Sequence, residues 1–216
     1  MALGREKWKV YGDVFDQFTL QNLHKLESQG FFTELQGSLS LGKEAHIFTA
    51  TKKDGSLVIV KIYRLQNSFF HKMYSYIRTD PRFSHLKGKK RHIIFHWVKR
   101  EFRNLLKARE SGLDVPTPYI CYQNIIVMQF IGNQKAAPQL KNAEVVDPES
   151  FFTQILNQVT LLYKEAKLVH GDLSDFNILC YEQKPIIIDM SQTTPVDDPN
   201  AEEYLRRDIS NLQRIA

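Results

Sequence analysis

The sequence predicts an α+β fold of two lobes, an antiparallel sheet dominating the first and helices the second. Three observations predict it. Runs of β-branched residues fall at Leu57–Tyr63 and Ile125–Ile131, after a hairpin pattern over residues 39–50. A capped helix pattern starts at Asp147-Pro148-Glu149. Residues His170–Asn177 read His-Gly-Asp-Leu-Ser-Asp-Phe-Asn and lead through two short apolar runs to Asp189. The division this implies is 1–131 for the first lobe and 132–216 for the second, with a hinge near Gly132. The first lobe carries an N-terminal helical extension and a basic flexible insertion at about 64–96.

Residues 13–36 carry apolar positions three apart and predict a helix with Gly30 as its stop. Residues 39–50 predict a hairpin turning near Gly42-Lys43-Glu44, and Lys53-Asp54-Gly55-Ser56 is a second turn. In 64–96, Phe69, Phe70, Tyr74, Tyr76, Phe83 and Phe95 are interleaved with Lys and Arg, and Asp80-Pro81 breaks a helix. This stretch is expected to be irregular, its aromatics either stacking on bases or packing on the lobe. Trp97–Arg109 suits a helix, Pro116 and Pro118 break the chain, and Ile125–Ile131 is a strand. Residues 136–144 form a connector. Leu156, Val159, Leu162, Tyr163 and Ala166 recur at helical spacing. Asn177–Tyr181 and Lys184–Ile188 are two strands joined by Glu182-Gln183, and a last helix spans about 200–215.

Helix, loop, strand, turn, strand and Asp is the setting that a catalytic loop of the protein-kinase class requires. Phosphoryl transfer needs charge neutralised and oxygens aligned more than it needs covalent chemistry. Asp172 is placed to accept a proton from an attacking hydroxyl. Asn177 and Asp189 offer hard oxygens suited to Mg²⁺, with Mn²⁺ as the alternative metal. Lys61 closes Val-Ile-Val on its strand, as the nucleotide lysine of such enzymes does. Glu101 is the single acidic residue between Asp80 and Glu110 and is the candidate to orient that ammonium. Ser40-Leu41-Gly42-Lys43-Glu44 has one glycine in place of three; a tight turn there lets Ser40 and Lys43 reach phosphate. Adenine would lie against the strand end, with Met128 lining the pocket and backbone groups of Gln129 and Ile131 as partners.

Net charge is +5, unevenly spread. Residues 64–109 hold thirteen Lys and Arg against Asp80 and Glu101. A basic block in an otherwise acidic chain suggests RNA or a ribosome surface; the alternative is a solvated loop. No apolar run reaches the ~20 residues of a membrane span, and the N-terminus lacks a signal-peptide core. Cys121 and Cys180 have neither disulfide-framework nor metal-site spacing. A cytoplasmic protein is expected.

Ser-Leu-Gly-Lys-Glu-Ala, Val-Ile-Val-Lys-Ile-Tyr, Arg-Glu-Phe-Arg-Asn-Leu, Met-Gln-Phe-Ile-Gly, His-Gly-Asp-Leu-Ser-Asp-Phe-Asn-Ile-Leu and Ile-Asp-Met-Ser-Gln together resemble the RIO-type atypical serine/threonine kinases. The resemblance covers about 19–215, lies closest to the first RIO subfamily, and points to an archaeal member. It implies a trimmed bilobal kinase fold without an activation-loop subdomain and an ATP site between the lobes. It implies Asp172 as catalytic acceptor, Asn177 and Asp189 as metal ligands, and Lys61 on the phosphates. It further implies that Asp189 takes a phosphoryl group in an ATPase cycle, that the enzyme autophosphorylates, and that it acts in small ribosomal subunit maturation. Ser68, Ser75, Thr79 and Ser84 are the candidate phosphorylation positions. Leu41 stands where the family more often has Thr, and Gln129 where Glu is usual. Two competing readings are a small-molecule phosphotransferase of the antibiotic-kinase type, which needs a larger second lobe, and a non-catalytic RNA-binding assembly factor.

Overall fold

The computed structural model describes residues 15–66, 70–79 and 90–215. Helix α1 (Gln17–Ser28) starts at Asp16, whose carboxylate accepts from Thr19 N at 2.9 Å. Gly30, at φ +84°, turns the chain out of it. Strands β1 (Glu34–Leu41), β2 (Ala45–Thr51) and β3 (Leu57–Tyr63) follow. The helix expected over 13–36 is therefore shorter: past the left-handed turn at Gly30, residues 34–36 already belong to β1. After β3 come α2 (Phe70–Thr79), α3 (Lys90–Glu110), β4 (Pro118–Tyr122) and β5 (Ile125–Gln129). The sheet order is β1-β2-β3-β5-β4, antiparallel throughout.

Both faces of this sheet are covered, and the two-residue period of a strand sorts its side chains between them. Val58, Val60, Ile62, Ile125 and Val127 join Leu23, Leu26 and Phe48 in a cluster under α1. Tyr63, Ile126 and Met128 belong instead to the cluster with Trp97, Val98 and Leu105 of α3, which runs on into the second lobe. Lys61 lies between Ile59 and Tyr63 on that second face, toward α3. Asn124, fully buried, ties α1 to the sheet by donating to Thr19 Oγ1 and to Tyr63 O, each at 2.9 Å.

The stretch 64–96 is not irregular throughout. Met73, Tyr76 and Ile77 of α2 are buried at three- and four-residue spacing, and Ile93 and Ile94 extend the buried face of α3 four residues ahead of Trp97 in a helix that starts at Lys90. Asp80-Pro81 lies outside the described residues, directly past Thr79. Ser75 and Thr79 sit on α2; Ser68, Ser84, Phe69 and Phe83 lie outside the described residues. β4 was not expected, because Pro118 opens it; proline is tolerated at the first residue of a strand.

Past β5 the chain turns at Gly132. Its φ of +142° and the carbonyl of Lys135, 2.2 Å from where a Cβ would stand, admit glycine alone. Gly132→Ala is expected to destabilise the protein by about 1–3 kcal/mol, read from urea unfolding, because a left-handed backbone and a carbonyl contact are strained together.

The second lobe holds a short 3₁₀ turn (Leu140–Asn142), α4 (Pro148–Lys164), β6 (Leu168–Val169), β7 (Ile178–Tyr181), β8 (Lys184–Ile187), β9 (Thr194–Pro195) and α5 (Ala201–Gln213). Asp147 caps α4 through Ser150 N at 3.0 Å. β7 and β8 form a hairpin whose two turn residues, Glu182 and Gln183, both take positive φ, the geometry that matches strand twist. Among the described residues no helix is long and apolar enough to cross a membrane.

Candidate active site

Lys61 is the meeting point of the lobes. Its ammonium, 6% exposed, donates to Glu101 Oε1 at 2.7 Å and to Asp189 Oδ1 at 3.0 Å. Glu101, 1% exposed, also accepts the Tyr63 hydroxyl proton bond at Oε2. Burial alone would push the lysine down, but the charges of Asp189 and Glu101 outweigh it and raise it above its ordinary value. Burial raises Glu101, with Lys61 opposing. Burial would raise Asp189 as well, yet Lys61 and the Ser191 side chain bring it to about 2. Asp189 therefore stays a carboxylate although it is only half-exposed, and it does so at φ +60°, a backbone conformation uncommon outside glycine.

The loop between β6 and β7 supplies Asp172 and Asn177. His170 accepts the Asp172 N–H on Nδ1 at 3.3 Å and donates from Nε2 to Ile188 O at 3.1 Å, which fixes one neutral tautomer. Asn177 Nδ2 donates to Asp172 O at 2.8 Å, so its amide oxygen faces away from the loop. Gln192 Nε2 donates to Asp172 Oδ2 at 2.8 Å, steadying that carboxylate oxygen.

The loop's main chain is held from α5. Asp208, buried, accepts from Gly171 N at 2.8 Å and Leu173 N at 2.9 Å. Arg207 donates to Gly171 O, and Asn211 donates to Leu173 O at 3.0 Å. From the other side, Asn104, one turn beyond Glu101 on α3, donates to Met190 O at 3.0 Å and Thr193 O at 2.8 Å, holding the segment after Asp189. The sequence reading gave no site role to Tyr63, Asn104, Gln192, Arg207, Asp208 or Asn211. One signal was present: Asp208 occupies the buried register of α5 with Ala201 and Leu212, where an acidic residue has no reason to lie unless it is bonded.

The structure thus joins Lys61, Glu101 and Asp189 by contact, and Asp172 with Asn177 by contact. Ser40 and Lys43 are exposed beside the β1–β2 turn, where a Cβ on Gly42 would meet Ala45 O at 2.8 Å. Met128, Gln129 and Ile131 lie at the end of β5. There Gln129 N–H donates to Thr117 O at 2.8 Å and Ile131 O accepts from Ala137 N at 2.9 Å.

Asn177 and Asp189 provide one amide and one carboxylate oxygen donor. Among the described residues no group of three or more His, Cys, Asp or Glu could hold a metal ion. Two hard oxygens without a protein cage suit Mg²⁺, which keeps waters and takes further oxygens from substrate phosphates.

The family model of the RIO domain matches residues 46–215. The chain belongs to the RIO family. Archaeal relatives include the RIO-type serine/threonine-protein kinases Rio1 of Haloferax volcanii (36% identical) and of Methanocaldococcus jannaschii (39% identical), each alignment covering 96% of this chain and 71% of the relative. The Rio2 kinase of Chaetomium thermophilum, in a complex with ADP/Mg²⁺ and phosphoaspartate, superposes with a TM-score of 0.71 at 26% identity. That superposition covers 89% of this chain but only 58% of the fungal one. The expected trimmed kinase fold is what the structure has. Among the described residues, β9 and α5 are the regular elements that follow Asp189.

Proposed function

We propose that this RIO-family kinase transfers the γ-phosphoryl group of ATP to serine or threonine hydroxyls, its own included, and also turns ATP over through a phosphorylated Asp189. The observation that carries this reading is the Lys61 ammonium bridging Glu101 and Asp189, because a cation beside a carboxylate kept ionised is what holding phosphates next to a metal ligand would need. Lys61 would hold the phosphates and Glu101 would orient it. Ser40 and Lys43 would close over the phosphates from the β1–β2 turn. Adenine would lie on Met128; with the Gln129 N–H and the Ile131 carbonyl engaged, its bonds would fall to the Gln129 carbonyl and the Ile131 N–H. When bound, Mg²⁺ on Asn177 and Asp189 would offset the charge of the phosphates. Asp172 would take the proton of the attacking hydroxyl on its carboxylate. In the ATPase branch an Asp189 oxygen attacks the γ-phosphorus and ADP leaves. Water then cleaves the acyl phosphate, its proton passing to Asp172. The phosphoaspartate in the related Rio2 kinase supports this branch.

The test is incubation with γ-labelled ATP and Mg²⁺ alone, using wild type, Asp172→Asn and Asp189→Asn. Acid-stable label on Ser or Thr supports the kinase branch, and hydroxylamine-labile label that vanishes in Asp189→Asn supports the ATPase branch. Absence of both label and hydrolysis in wild type sinks the proposal.

We further propose that the basic region binds RNA of the small ribosomal subunit precursor. Arg91, Lys99, Arg103, Lys107 and Arg109 are exposed on α3. Affinity for a single-stranded RNA should then fall steeply with salt, the log–log slope gaining roughly −0.7 per phosphate contact. Fluorescence anisotropy between low and moderate salt measures it, and a flat response rejects the RNA reading.

A further inference from the structure

Helix α2 belongs to the first lobe by sequence, yet it ends in contact with the helix that holds the catalytic loop. Tyr76 is 5% exposed. Its ring stands edge-on to Trp97 of α3 with centroids 5.9 Å apart, and lies at 31° to Tyr204 of α5 with centroids 5.2 Å apart. Arg207 Nη2 donates to the Tyr76 hydroxyl at 3.4 Å, and the same Nη2 donates to Gly171 O. The guanidinium carbon is 5.1 Å from the Tyr204 ring. Gly171 O belongs to the peptide that joins Gly171 to Asp172, so a rotation of this guanidinium moves the Asp172 main chain directly.

Packing alone does not require this arrangement. Met73 and Ile77, each 1% exposed, already seat α2 on the common core. Tyr76 adds a hydroxyl at the edge of a planar cation that is engaged with the loop, and a ring shared with the helix that carries the cation. A guanidinium presents its donors in a rigid fork, so constraining one edge constrains the whole group.

We propose that Tyr76 is a positioning residue for Asp172, acting through Arg207, so that the seating of α2 against α5 sets the rate of phosphoryl transfer. The inference rests on Asp172 as the proton acceptor. It makes the insertion helix, next to the basic segment, a place where a bound partner changes turnover without touching nucleotide.

The experiment is a double-mutant cycle of Tyr76→Phe and Arg207→Ala, with Asp172→Asn as reference. Steady-state ATP turnover gives kcat and KM, and titration with a fluorescent ADP analogue gives nucleotide affinity. Tyr76→Phe keeps the ring contacts and should lower kcat about 5-fold, with KM and nucleotide affinity within about twofold. Arg207→Ala should lower kcat about 30-fold, as misplacement of a reacting group does. In the Arg207→Ala background, Tyr76→Phe should change kcat less than about twofold, because residues acting through one another are non-additive. If Arg207→Ala does not fold, Arg207→Lys keeps the charge, loses the fork and completes the same cycle. Multiplying effects, a change in KM alone, or a Tyr76→Phe enzyme with wild-type kcat would each overturn the inference while leaving Asp172 in its role. Turnover surviving in Asp172→Asn would overturn the reading beneath it, and the inference with it.

Discussion

Asp189→Asn is expected to abolish ATP turnover, by at least about 10²–10³-fold, the usual cost of losing an electrostatic contact made to a charge-bearing transition state. The substitution isolates charge from shape. Asparagine keeps an oxygen to accept from Lys61 and from the Ser191 N–H, bonds now at 3.0 and 3.3 Å. It also tolerates the positive φ at this position better than most residues. What disappears is the anion: the hard carboxylate for a metal, the nucleophile for an acyl phosphate, and half the negative field on Lys61. ADP release measured beside a thermal melt checks both halves of the argument. Folded protein with preserved hydrolysis would remove Asp189 from the chemistry.

Lys61→Met is expected to be costly in a different way, lowering stability by about 3–5 kcal/mol as well as stopping turnover, because it leaves a carboxylate buried without its cation. That carboxylate is Glu101, 1% exposed. Burial already pushes Glu101 up, and Lys61 is the main influence holding it down. Without the lysine, Glu101 folds with a pKa further above its unfolded value. A raised acid contributes stability at pH below its unfolded value and loses it as pH rises through the folded one. The deficit of Lys61→Met relative to wild type should therefore be largest at neutral and alkaline pH and shrink as pH falls toward 5. Urea unfolding across that range measures it, and a deficit independent of pH would contradict the assignment to Glu101. The double variant Lys61→Met/Glu101→Leu should recover most of the stability while remaining inactive, since an apolar pair of similar volume needs no charge compensation.

What the sequence disclosed and what it hid follow from the range of the interactions involved. Lys61, Asp172, Asn177 and Asp189 were legible because each sits at a fixed offset within its own strand or loop, and Glu101 because no other acidic residue competes nearby. The β7–β8 hairpin was legible for the same local reason. Helix α2 was obscured because Met73, Tyr76 and Ile77, the buried positions among its described side chains, are interleaved with Lys and Arg in sequence and followed by Asp-Pro. β4 was obscured by two prolines. Asn104, Gln192, Arg207, Asp208 and Asn211 were missed because each acts on backbone far away in the chain: Asn104 on a carbonyl 86 residues on, Asp208 on an amide 37 residues back. Short-range periodicity carries no record of such pairings.

The order in which the loop and its support are made has a consequence during synthesis. A ribosome produces the chain from one end at roughly 5–20 residues per second. Lys61, Glu101, Asp172 and Asn177 all emerge before the carboxylate of Asp208, which lies 37 residues beyond Gly171. For the seconds in between, the amides of Gly171 and Leu173 lack the acceptor that fixes them. A nascent chain that stops short of Asp208 therefore carries the loop without the acceptor that fixes its amides, and is expected to leave nucleotide unconsumed until α5 has been made and docked.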